Sequence, residues 1–164
     1  MTGYMFDVGD FVVYPAHGVG KLMGSEKHEV SGFEIELLVI SFEKERMTLR
    51  LPVAKASAAG LRPLSTKESM LKALESLALR TKQKRTMWSR RAQEYENKIN
   101  SGDPCSIAEV IRDLYRSQKE ADQSYSERQI YQAAIDRLAR EFAAVEQIDE
   151  MVAVQKMEEI LRAA

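Results

Sequence analysis

The hydrophobic pattern of this 164-residue chain changes period once, just after Pro63, and that switch implies a fold in which strands come first and helices follow. Before it, apolar residues come in short or alternating runs: Phe11-Val12-Val13-Tyr14, Gly20 to Glu26, Ile35 to Phe42 and Met47 to Leu51. Between them, Val8-Gly9-Asp10 and Pro15-Ala16-His17-Gly18 are turn chemistry, because glycine tolerates positive φ and proline presets its own. Gly20, inside the second run, predicts a bulge where that strand bends. Several short strands of this kind imply a small β-barrel over residues 1–64.

From Ser65 onward the spacing is helical. Ser65-Thr66-Lys67-Glu68 reads as a capping box that opens a helix running to about Leu79. A second helix starts between Thr86 and Trp88 and runs to about Asn100, where Ser101-Gly102 stops it. Asp103 as N-cap and Pro104 in the first turn start a third, Ser124-Tyr125-Ser126-Glu127 a fourth, and Asp149 a fifth. Ile107, Val110, Ile111 and Leu114 keep helical spacing, as do Ile130, Ala134, Leu138 and Phe142, so residues 65–164 should pack as a compact bundle. Met70, Met151 and Met157 fall in the same patterns and are expected to fill its core. The fold class is α+β, strands then helices.

Charge is segregated along the chain. The formal net charge of −1 conceals 7 basic and 8 acidic side chains in residues 1–64, 9 and 4 in residues 65–102, and 8 and 13 in residues 103–164. A polyanion would be steered by the middle zone and not by the whole molecule. Within it, the stretch from Arg80 to Arg91 holds six of the 24 basic residues and the only tryptophan. Phosphates attract such cations, and an indole can stack on a base or wedge into a base step. Two placements of Trp88 fit its spacing. It lies on one stripe with Ala92, Tyr95 and Ile99, which would bury it; alternatively, in the first helical turn it would project from the end of the bundle beside Arg90 and Arg91. Helix starts also offer N–H groups to phosphate. The run from Arg80 to Arg85 has no apolar period and is expected to lie exposed where two helices meet, with Lys84 and Arg85 counted among the DNA-contacting cations.

Catalytic and metal chemistry find no support in the motifs. His17 and His28 are too few and too scattered for a metal site, and Cys105, the only cysteine, rules out an intramolecular disulfide and a multi-cysteine zinc site. A single thiol fits a reducing compartment. There is no G-x-x-x-x-G-K-[ST] loop, no G-x-G-x-x-G and no G-x-S-x-G elbow, so neither an enzyme nor a cofactor is expected. The N-terminus lacks the basic flank and apolar stretch of a secretory signal, and no segment approaches the roughly 20 apolar residues of a membrane span. The expectation is a soluble cytoplasmic protein, monomeric and without a membrane partner.

Val8-Gly9-Asp10-Phe11-Val12-Val13-Tyr14-Pro15-Ala16-His17-Gly18-Val19-Gly20 resembles the opening of the CarD/CdnL family of bacterial transcription regulators, an opening shared with the polymerase-interacting domain of transcription-repair coupling factors. The likeness continues through Leu49-Arg50-Leu51-Pro52, Trp88-Ser89-Arg90-Arg91, Ser101-Gly102-Asp103 and the segment from Ala108 to Arg116, in order along nearly the whole chain. The resemblance implies a Tudor-like N-terminal barrel, residues 1–64, that docks on the RNA polymerase β subunit. It also implies a helical domain, residues 65–164, that touches promoter DNA at the upstream edge of the melted region and stabilises the open complex. It implies Trp88 as a minor-groove wedge, Arg90 and Arg91 as backbone contacts, and Arg50 as the chief polymerase contact, with His28, Leu49 and Pro52 alongside. The chain departs from some members at Gln93, where they carry a lysine, and at His28, where they carry an arginine. The competing reading is a polymerase-bound adaptor with Trp88 in its core and no direct DNA contact.

Overall fold

The computed structural model describes residues 6–79, 87–120 and 124–164, and the chain divides into two compact units, Met1–Leu64 and Ser65–Ala164. The first is a five-stranded antiparallel sheet: β1 (Phe11–Tyr14), β2 (Gly18–Val30), β3 (Phe33–Phe42), β4 (Met47–Pro52) and β5 (Arg62–Pro63), in spatial order β4-β3-β2-β1-β5. A 3₁₀ turn, Glu43–Glu45, joins β3 to β4, and a short helix α1 (Val53–Ala56) follows β4. Because side chains alternate along a strand, Leu38, Ile40 and Phe42 of β3 share one face with Leu51 of β4. That face forms a core with Val12, Leu22, Ala56 and Leu61.

The sheet is open, which corrects the expected barrel. Its edge strands β4 and β5 do not pair among the described residues. The reason is local: β5 is only two residues long and ends in Pro63, which has no N–H to offer a ladder, while β4 ends at Pro52 and the chain turns into α1. Gly20 is also not the bulge. The register of β2 on β3 slips between Leu22 and Gly24, around Met23. Gly20 instead allows close approach, since a Cβ there would lie 2.7 Å from Ile40 Cγ2 and 2.8 Å from Phe42 Cε1. Beyond the core, β2 and β3 continue as a ribbon to Ser31 and Gly32, whose φ angles of 51° and 81° give the left-handed pair that a two-residue hairpin turn requires.

The second unit holds α2 (Lys67–Ser76), α3 (Trp88–Asn100), α4 (Pro104–Glu120), α5 (Tyr125–Glu146) and α6 (Glu150–Ala163). The two apolar stripes read from α4 and α5 are buried together with Tyr95, Ile99, Met70 and Met157. Met151 departs from the expectation. It is 71% exposed, because two residues turn a helix through roughly 200° and set it opposite the buried line of Ala153, Met157 and Leu161 in α6. The first helix also starts and stops differently from the expected box. Thr66, not Ser65, is its N-cap, and the helix ends at Ser76, before the buried Leu77. Ser65 is engaged elsewhere: its N–H and its hydroxyl both donate to Glu141 Oε2, at 2.8 and 2.7 Å. Glu141 lies in α5 and is 4% exposed, the one buried charged side chain among the described residues. No helix among the described residues is long and apolar enough to cross a membrane.

Candidate functional site

Arg50 sits on β4 with the opposite pleat to Leu49 and Leu51, so it points to the face of the sheet away from the core. Register carries that face across the sheet. Arg50 lies opposite Val39, Pro52 opposite Leu37, Glu26 opposite Leu37, His28 opposite Ile35, and Val30 opposite Phe33. The chain thus brings Arg50, His28 and Pro52, three of the four residues expected to contact the polymerase, onto one surface. Leu49 is the exception, turned to the other face and packed against the core.

At the centre of this surface is Glu26, which sequence reading missed. Its Oε2 accepts from Arg50 Nε at 3.0 Å and from His28 Nε2 at 2.9 Å. The Arg50 bond first, then the His28 bond, holds the Glu26 carboxyl below the usual glutamate range. Arg50 is half-exposed, with its other guanidinium nitrogens available to a further acceptor. The signal for Glu26 was its placement two residues before His28, on the same face of β2, but only the pairing of β2, β3 and β4 shows that it reaches Arg50. The same face ends in an exposed apolar pair, Val30 and Phe33, 53% and 74% accessible, at the hairpin tip.

In the second unit, Trp88 is the first residue of α3. Its ring neither stands free nor lies in the core. It is half-buried, packed at the margin of the bundle core with its centroid 6.2 Å from that of Tyr95 and the planes tilted by 53°. The helical stripe through Ala92, Tyr95 and Ile99 is therefore real, and Trp88 forms its solvent end. Arg90 is exposed; Arg91 is partly covered, its guanidinium carbon 5.4 Å from the centre of the indole. Gln93 is exposed, and its amide nitrogen donates to Asn97 Oδ1 one turn on. Lys84 and Arg85, with the rest of the run from Arg80, lie outside the described residues.

The start of α3 differs from the other helix starts of this unit. Thr66, Asp103, Ser124 and Asp149 each accept a backbone N–H at the head of their helix. Met87, at the same position of α3, has no capping side chain, and the first turn carries no acid but Arg90 and Arg91. Cations there oppose the helix dipole and cost helix stability. What they create is a positive helix end with an apolar ring and an exposed Met87, the combination that suits a polyanion with hydrophobic steps. No group of three His, Cys, Asp or Glu side chains able to hold a metal occurs among the described residues.

Comparison with known proteins matches the two units separately. Residues 6–65 match the CarD-like/TRCF RID domain and residues 72–158 match the CarD C-terminal domain. The chain is 28% identical over 146 residues to "Putative transcription factor YdeB" of Bacillus subtilis (strain 168), an alignment covering 89% of this chain and 95% of that one.

Proposed function

This chain belongs to the CarD family, and from that premise we propose that it regulates transcription initiation by holding RNA polymerase through the Arg50 face of its sheet and promoter DNA through the start of α3. The observation that carries the DNA half is the cationic first turn of α3, without a capping side chain, and the partly buried indole at its tip. Trp88 wedges at a distorted step at the upstream edge of the bubble, where unstacking costs a few kcal/mol that the melted DNA has already met. Its packing on Tyr95 limits the ring's freedom, so less ordering entropy is lost on insertion. Arg50, already oriented by Glu26, offers a planar fork to a carboxylate or carbonyl of the polymerase β subunit. No base-reading constellation accompanies the wedge, so position on polymerase, not sequence, selects the DNA. The adaptor reading leaves the cost of two arginines at a helix start unexplained.

The test is the lifetime of the open complex after competitor challenge, with and without the protein. Wild type should lengthen it. Trp88→Ala should return it toward the protein-free value while β-subunit binding persists. Because the ring is half-buried, this variant should lose about 1–2 kcal/mol of stability, short of the ~3–5 expected for a tryptophan in the core. A folded Trp88→Ala protein that lengthens the lifetime as well as wild type does would overturn the DNA half of the proposal.

A further inference from the structure

Two adjacent arginines follow Trp88, and the structure gives them different surroundings. Arg90 is exposed. Arg91 is not: its Nε is buried with no hydrogen-bond partner among the described residues, and its guanidinium lies over the indole at 5.4 Å from the ring centre. Helical side chains lean toward the N-terminus and meet the residue three positions before them, which places Arg91 over Trp88 and not out in solvent. An arginine that grips a phosphate through its Nε edge must keep that edge open. Here that edge is covered, and what the cation meets instead is a π-face.

We propose that Arg91 is a positioning residue that braces the indole of Trp88, while Arg90 makes the phosphate contact. The proposal rests on Trp88 acting as the wedge, and it separates two neighbours that the family resemblance treats alike. At the end of α3 the indole meets both the Arg91 guanidinium, 5.4 Å from its centre, and the Tyr95 ring, centroid to centroid 6.2 Å and tilted by 53°. Removing the brace should leave the charge available to DNA almost unchanged but let the ring change rotamer.

Trp88 is the only tryptophan, so its emission reports on the ring alone. In Arg91→Ala, acrylamide access to Trp88 should rise about twofold, because the guanidinium and its stem cover one of the ring's two faces. Open-complex lifetime should fall, while the slope of log DNA affinity against log salt stays at the wild-type value. In Arg90→Ala, quenching should stay at the wild-type value and the slope should fall by about 0.9, the loss of one phosphate contact. Arg91→Met, which keeps the stem and packing without the charge, guards against a folding defect and should give quenching between those of wild type and Arg91→Ala. Arg91→Lys should restore part of the protection. The proposal is overturned if Arg91→Ala or Arg91→Met lowers the salt slope as Arg90→Ala does and leaves quenching unchanged. A failure of the wedge itself appears separately, as an unchanged lifetime in Trp88→Ala, whatever the quenching shows.

Discussion

Glu26 is the residue whose behaviour depends most directly on strand pairing. Sequence reading chose Arg50 and His28 from their likeness to a family motif, yet the carboxylate joining them becomes apparent only once β2, β3 and β4 are in register. Leu49 shows the same dependence in reverse: it is Arg50's neighbour in the chain, and the pleat sends it to the opposite face. The pairing makes a prediction about pH. The Glu26 carboxyl is lowered in the folded protein, so the stability its bonds contribute is present above the ordinary glutamate range and is lost as pH falls through the lowered value. Carboxyl NMR titration should place the Glu26 midpoint below that of an unperturbed glutamate. Arg50→Ala should move it back up, since the Arg50 bond is the largest cause of the shift. An unmoved midpoint in that variant would mean that the Glu26–Arg50 bond does not form in solution.

Helices were legible to the extent that their ends carry capping chemistry. Asp103, Ser124 and Asp149 announced α4, α5 and α6, and each accepts a backbone N–H as its residue type suggests. The start of α2 was misread by one residue because Ser65 and Thr66 are both competent caps, and only the partner 76 positions away, Glu141, decides which one is free for the helix. Strand lengths were less legible. Lys27, His28 and Glu29 carry β2 past the core, where no apolar alternation marks that strand. Barrel closure could not be read either, since it depends on two distant edges finding each other. The weak start of α3 yields its own prediction. Met87→Asp should supply the missing cap and raise stability by about 1 kcal/mol in urea unfolding. The same carboxylate would occupy the N–H groups and repel phosphate, so DNA affinity should drop as stability rises. A gain in both would show that the helix start takes no part in binding DNA.

As a whole, the molecule is two units, each with its own buried core. A segment of about 60 residues is near the lower limit for independent folding, but this one contains every strand of its sheet. Residues 1–64 alone should therefore give a cooperative thermal transition and, under the proposed function, bind the polymerase β subunit with the affinity of the intact chain. Arg50→Glu should abolish that binding with an unchanged circular dichroism spectrum, because the side chain is half-exposed and off the core face. An arginine at such a contact is often worth roughly 2 kcal/mol or more. Wild-type affinity in the folded variant would place the interface elsewhere. The bond between Ser65 and Glu141 has a mechanical consequence. Were one unit held by a polymerase and the other by DNA being unwound, as the proposed function has it, tension carried along the backbone would enter the helical unit at Ser65, its first residue. That residue is tied by two hydrogen bonds to Glu141 in the 22-residue helix α5, so the load would pass into the longest helix among the described residues before it could fray the first turn of α2.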